Sequence, residues 1–241
     1  MKIKRLLMLL RGTAVLAVAA VCSMSGVSTT FAEDEDNDAI DQSEASMIRR
    51  GFEVAPVPLN MAGKNRALVG LGSYLVNVVD HCNTCHSAGP ATQWERGDNP
   101  FFGQDAEVNP ATYMGGGRVF PPLVPTNPNA TPTIISRNLT PDKTGRPEGG
   151  RTFEEFAFTI TTGIDLDQLH PNCVDPDQGP TTKCFSRKLP FDGNLLQVMP
   201  WPDLRHITKH QLRAIYEYLK AIPCVPGPKD PKSPLHNDCG P

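Results

Sequence analysis

Cys82-Asn83-Thr84-Cys85-His86 sets two thiols three positions apart and puts an imidazole directly after the second. This is CxxCH, the attachment pattern for a c-type haem. Thiols so spaced at the end of a helix reach the two vinyl groups of one porphyrin edge, and the adjacent His86 turns its ring onto the iron as proximal ligand. A bare CxxC would leave thiol–disulfide exchange or half of a zinc site open. The chain has no second CxxC, and no βαβ pattern surrounds the motif. The expected cofactor is therefore one haem c, held covalently by Cys82 and Cys85.

The elements that must position these groups follow from periodicity. Leu68, Leu71, Leu75 and Val78 recur at helical spacing and Cys82 continues the stripe, which predicts an amphipathic helix from near Asn60 to the motif. Gly70 and Gly72 cost such a helix up to ~1 kcal/mol each relative to alanine, so another helix is expected to approach closely there. Thr152 with Glu155, and Thr208 with Gln211, read as capping boxes. The first opens a helix with Phe153, Phe156, Ala157 and Ile160 on one face, ended by Gly163. The second opens Lys209 to Ile222, stopped by Pro223.

A haem iron needs a sixth ligand, and a soft thioether favours the ferrous state and raises the potential. Met199 is the best placed methionine. Its segment, Leu195-Leu196-Gln197-Val198-Met199-Pro200-Trp201-Pro202, is stiffened by prolines and apolar enough to keep water away. Met47, Met61 and Met114 are the other methionines outside the leader, and Met114 stands in a loop that reads as flexible beside Gly115-Gly116-Gly117. His81, His170, His206, His210 and His236 read as solvated histidines. Arg137 and Trp201 are, from position alone, candidates for holding the propionates or lining the pocket, with Val198, Pro200 and Tyr216 as its apolar walls.

Composition fits a loop-rich domain built around a cofactor. The 241 residues include 20 glycines and 24 prolines, well above the usual ~12% for the two together. A net charge of -3 provides no basic face for a nucleic acid. Lys2, Lys4, Arg5 and Arg11 precede a short apolar run that ends in Thr30-Phe31-Ala32, which reads as a secretory signal over residues 1–32. The run falls short of the ~20 apolar residues that span a bilayer, so no membrane span is expected in the mature chain, and a periplasmic or secreted location follows. Residues 33–59 open with seven acidic side chains between Glu33 and Glu44 and read as a disordered acidic linker. Residues 60–223 form the haem domain and 224–241 a Pro-rich tail. Cys173, Cys184, Cys224 and Cys239 make two disulfides in an oxidising compartment, and three pairings are open; the local one joins Cys173 to Cys184 and Cys224 to Cys239.

The order and content of these motifs resemble the class I monohaem c-type cytochromes, and more closely the secreted bacterial ones. The resemblance rests on Leu71-Gly72-Ser73-Tyr74-Leu75 before CNTCH, on Asn138-Leu139-Thr140-Pro141-Asp142, and on Met199-Pro200-Trp201 before Leu212-Arg213-Ala214-Ile215-Tyr216-Glu217-Tyr218-Leu219. Similar segments occur in the cytochrome subunits of alcohol and aldehyde dehydrogenases, which carry three such domains where this chain has one. The resemblance implies an all-α cytochrome c fold of three or more helices around one covalent haem. It further implies first and last helices crossing with Gly72 against an aromatic such as Tyr216, His86 proximal and Met199 distal. The long stretch from Gly89 to Ile134 departs from that pattern.

The expected function is that of a periplasmic one-electron carrier rather than an enzyme, exchanging electrons with redox partner proteins such as a dehydrogenase or a respiratory complex. The alternatives are a cytochrome subunit held in a periplasmic dehydrogenase complex, which a large apolar patch in Gly89 to Ile134 would favour, and a haem-based gas or redox sensor, which needs a displaceable Met199.

Overall fold

The computed structural model describes residues 32–120, 134–167, 173–175, 179–181, 183–186, 189–192 and 195–240, without the side chains of 32–41, of 90 and of 168–194. The chain divides into two units, Met1–Asp38 and Ala39–Pro241, and the packing and the site described below are those of the second. The leader over residues 1–31 lies outside the described residues, as do His170 and the side chains of Cys173 and Cys184, and with them that disulfide.

The acidic linker expected over 33–59 is instead largely helical, in α1 (Ala32–Val54). The acidic run ends at Glu44. Met47, Ile48 and Phe52 follow at helical spacing and pack on the core, and burying such side chains is worth roughly 1.5–3 kcal/mol each when complete. The domain therefore begins before residue 60.

The helix expected from Asn60 starts later. Asn60 donates its backbone N–H to Ala221 O at 2.8 Å, which commits it to a different partner. Asn65 is the N-cap, its side chain accepting from Ala67 and Leu68, and α2 runs Arg66–Tyr74. It continues as one π-helical turn, Leu75–Val79. After a break at His81 the single turn α3 (Cys82–Cys85) carries the two thiols. The segment beyond is more ordered than a plain loop, with α4 (Pro90–Gln93), a 3-10 turn at Pro100–Phe102 and an antiparallel bridge between Trp94 and Val108. Tyr113 and Met114 are fully buried in the core, so Met114 does not sit in a flexible loop.

Strands β1 (Val119–Phe120) and β2 (Ile134–Ile135) pair antiparallel. The turn α5 (Pro147–Gly150) leads through Thr152 into α6 (Phe153–Thr162), whose capping box forms as expected and which Gly163 ends at φ 74°. Strands β3 (Cys173–Asp175) and β4 (Gly179–Thr181), then β5 (Lys183–Ser186) and β6 (Leu189–Asp192), make two further antiparallel pairs. The short α7 (Trp201–Leu204) precedes α8 (Lys209–Leu219), opened by the Thr208 and Gln211 box. The described residues are thus mostly helical with three small hairpin pairs, rather than all-α. No described helix is long and apolar enough to cross a membrane.

Glycines set the core. A methyl on Gly72 would overlap the Ala214 carbonyl oxygen and lie 2.7 Å from Tyr218 Cβ, so α2 and α8 meet backbone to backbone. The aromatic at that crossing is Tyr218, not Tyr216; the latter turns the other way, edge-on to Phe153 at 5.5 Å, and donates its hydroxyl to Arg151 O at 2.8 Å. Gly70 makes the equivalent approach to Ile48 and Phe52 of α1. Beside the crossing, the Tyr113 hydroxyl donates to Asn77 Oδ1 at 2.6 Å, while Asn77 Nδ2 donates to the Tyr218 hydroxyl at 3.2 Å. Tyr218 then donates to Tyr113 across 2.8 Å, closing a buried triangle in which each group is satisfied.

The tail is stapled by a Cys224–Cys239 disulfide across 15 residues, and Asn237 Nδ2 donates to Thr140 Oγ1 at 2.8 Å. Replacing both cysteines by serine is expected to remove about 3 kcal/mol, the loop-closure value for such a ring. Thermal unfolding without reductant should show a midpoint lower by roughly 6–12 °C at about 2–4 °C per kcal/mol; an unchanged midpoint would remove the staple from the account of stability.

Candidate functional site

His81 adopts a left-handed backbone, φ 48°, and this break turns the chain so that α3 starts afresh. Cys82, Cys85 and His86 then all line one cavity of about 470 Å³, within the ~300–1,000 Å³ range of cofactor sites. The two thiols are not bonded to each other. Burial, with Asp80 nearby, pushes the Cys82 thiol up to about 12. A redox-active thiol pair needs the opposite shift, toward a stable thiolate.

His86 is oriented by one bond. Its Nδ1 lies 2.8 Å from the Arg137 carbonyl oxygen, which only accepts, so Nδ1 carries the proton and Nε2 keeps its lone pair. Burial holds the ring below the usual histidine range, and with the Arg137 charge it outweighs the hydrogen bond to the Arg137 carbonyl, which favours the protonated ring. Both effects favour a neutral imidazole. The Arg137 segment is clamped by the glycine run: Gly116 N donates to His86 O at 2.9 Å, Gly117 N to Ser136 O at 2.9 Å, and Leu139 N to Met114 O at 2.8 Å. Gly116 has φ 72°, and a Cβ there would sit 2.5 Å from the Arg137 carbonyl carbon. Only glycine fits, and this run thus serves the proximal side.

Met199 lines the same cavity, as do Val198 and Pro200. Its segment is pinned by Leu196 N donating to Gly163 O at 2.7 Å and by the Ile164–Leu195 bridge. Trp201 and Tyr216, expected as pocket walls, do not line the cavity. The Trp201 indole donates to Leu196 O at 3.0 Å and lies against Gly163 so closely that no Cβ would fit there. Trp201 braces the Met199 segment from behind. Arg137 does reach the cavity, but its guanidinium is taken by Glu148, Asp165 and Asp167. Burial works against that cation, and the three carboxylates together outweigh it and keep it charged. A propionate at Arg137 would therefore compete with three anions already in place.

The remaining walls are mainly apolar, with Val76, Leu139, Phe156, Ile160, Leu212 and Ile215 among them. Two buried polar atoms on this lining, Thr159 Oγ1 and Asp80 Oδ2, have no hydrogen-bond partner among the described residues. An orphaned hydroxyl in an apolar wall suits a ligand with a few polar atoms of its own. Two thiols, a neutral imidazole and a thioether around an apolar cavity fit a haem c, with Cys82 and Cys85 as attachment points and His86 and Met199 as iron ligands.

The residues least visible in the sequence act through the backbone or through charge. The Arg137 carbonyl, Gly116, and the Glu148, Arg151, Asp165 and Asp167 cluster belong to this group. The only hint lay in Asn138-Leu139-Thr140-Pro141, which follows Arg137 directly. Compared with models of protein families, with curated proteins and with solved structures, the chain matches none.

Proposed function

We propose that this chain is a one-electron carrier of the periplasm, a monohaem c-type cytochrome with His86 and Met199 as axial ligands. The observation that carries the reading is the convergence of Cys82, Cys85, His86 and Met199 on one apolar cavity. Haem c bound there supplies one-electron cycling between ferric and ferrous iron. The chain's own residues do the rest. The Arg137 carbonyl fixes the His86 ring, Trp201 and Gly163 hold the Met199 segment, and the apolar walls exclude water and so raise the potential. If His86 and Met199 both held the iron, the chain itself would occupy the places a substrate would need, and no proton donor to a substrate would be required.

Purified protein reduced with dithionite should show a low-spin c-type spectrum that carbon monoxide leaves unchanged. In Met199→Ala the sixth position opens, and carbon monoxide should shift the spectrum fully; an M199A protein still low-spin and unresponsive would remove Met199 from the ligand set. The bracing of the Met199 segment speaks against a displaceable ligand and hence against a gas sensor.

A second reading, a subunit of a periplasmic dehydrogenase, is favoured by Phe101 and Phe102, which are 83% and 78% exposed on the turn at Pro100–Phe102. Side chains of that size seldom stand so far out in water without a partner. Stoichiometric copurification of a catalytic subunit that survives high salt would favour it.

A further inference from the structure

The tail closed by the Cys224–Cys239 disulfide reaches the site through a single peptide unit. The carbonyl of Arg137 accepts the His86 Nδ1 proton across 2.8 Å. The N–H of Asn138, at the other end of that same peptide bond, donates to Pro234 O of the tail at 3.2 Å. A peptide unit is planar and resists twisting, so its carbonyl and its N–H turn together. The tail therefore holds one edge of the plane whose opposite edge meets His86. Pro234 also lines the cavity described above.

A buried knot ties the tail to this segment. Asn138, Thr140 and Asn237 are all buried, and their polar atoms are engaged with one another and with the tail backbone. Asn138 Nδ2 donates to Val225 O at 2.9 Å, while Asn138 Oδ1 accepts from Thr140 N at 2.9 Å and from Thr140 Oγ1 at 2.7 Å. The Thr140 hydroxyl in turn accepts from Val225 N at 2.9 Å and from Asn237 Nδ2 at 2.8 Å. It thereby uses its one proton and both lone pairs. Two of its bonds lead to the tail and the third to Asn138, so Thr140 is the joint between them. A buried network of this kind is rigid while complete and costly when a member is lost.

We propose that Thr140 is a positioning residue through which the tail sets the electron-donating strength of His86, an inference that rests on the electron-carrier reading above. The bond from Nδ1–H to the Arg137 carbonyl makes the ring a more basic ligand, and a more basic axial ligand favours ferric over ferrous iron. While the knot holds the Arg137 peptide in place, the midpoint potential stays below the value that the apolar walls alone would give. Without the Thr140 hydroxyl the peptide turns, the bond to His86 weakens and the potential rises. Loosened packing acts with the opposite sign, because water entering the cavity lowers the potential. The direction of the shift therefore separates positioning from mere support.

The test is the midpoint potential of the purified full chain and its variants, measured at one pH. Thr140→Val keeps the shape of the side chain and removes the hydroxyl. At a fixed potential its ratio of ferrous to ferric protein should rise about tenfold, the lower end of what outer-shell changes do to a metal site; for one electron that is a midpoint raised by ~59 mV. Thr140→Ser keeps the hydroxyl and should stay at the wild-type value. A T140V midpoint that is unchanged or lowered, or a T140S midpoint that moves with it, overturns the assignment. Should T140V not fold, Cys224→Ser with Cys239→Ser decides, since it frees the tail and leaves Thr140 in place: a raised midpoint supports the coupling, and an unchanged or lowered one overturns it. A chain without covalent haem by mass overturns the electron-carrier reading and this inference together. Covalent haem whose potential does not rise in T140V overturns the inference alone.

Discussion

Replacing Cys82 and Cys85 together by alanine is expected to abolish covalent pigment: after denaturation the wild-type chain should be heavier than its polypeptide by one haem, and the variant should not. The loss extends to the fold. On the proposed reading haem would fill the cavity of about 470 Å³, and an unfilled core cavity costs about 24 cal/mol per Å³. That comes to roughly 10 kcal/mol, comparable with the whole stability of an ordinary domain at about 5–15 kcal/mol. The C82A/C85A chain should therefore bind ANS and lose near-ultraviolet dichroism while keeping its helical signal. His86→Ala separates the two roles, keeping the covalent mass and losing the low-spin spectrum. A double variant as tightly folded as the wild type would show that the cavity is not built around a resident group.

Gly72→Ala is the second large effect. The methyl would overlap the Ala214 carbonyl oxygen, a backbone atom that no side-chain rotation can move away. The two helices would have to separate along their whole contact, loosening Leu71, Leu75, Ile215 and Leu219, all buried. We expect a loss above about 4 kcal/mol, a size that single substitutions reach only through such clashes or comparable core damage. Gly63→Ala is the control. It has positive φ, 66°, which Gly72 does not, and nothing lies within 4 Å of an added Cβ, so it should cost only the left-handed strain of about 1–2 kcal/mol. Denaturant titration of the two variants compares the terms directly, and equal losses would refute the close-crossing explanation.

Features that depend on local chemistry were legible in the sequence. Thr152 with Glu155 and Thr208 with Gln211 form reciprocal caps, because a capping box needs only residues three apart. Gly70 and Gly72 announced close packing because their cost in a helix demands compensation. The partner of Gly72 was harder to read: Tyr216 and Tyr218 are two residues apart, and only the phase of α8 against α2 decides between them. The folding of α1 was obscured by its first half, where charge dominates composition and conceals the later stripe of Met47, Ile48 and Phe52. Around the site, Cys82, Cys85, His86 and Met199 could be named from residue type and spacing, and all four line one cavity. The Arg137 carbonyl could not, since every residue except proline offers the same donor and acceptor on its backbone. Trp201 was misassigned because an indole beside a pocket and an indole behind it look alike in one dimension.

The crossing of α2 with α8 also has a bearing on the order of events as the chain folds. Its two partners, Arg66–Tyr74 and Lys209–Leu219, lie near opposite ends of the domain, so the core closes only after a very long loop has been drawn together. Loop-closure entropy grows slowly with length, but contacts at such separation slow folding strongly. Until α8 arrives, the turn bearing Cys82 and Cys85 has no opposite wall from Leu212, Ile215 or Leu219, and the two thiols stay within reach of solvent-borne reagents. The topology thus opens an interval during biogenesis in which covalent chemistry at the motif can precede burial, and the last helix to emerge is the one that ends it.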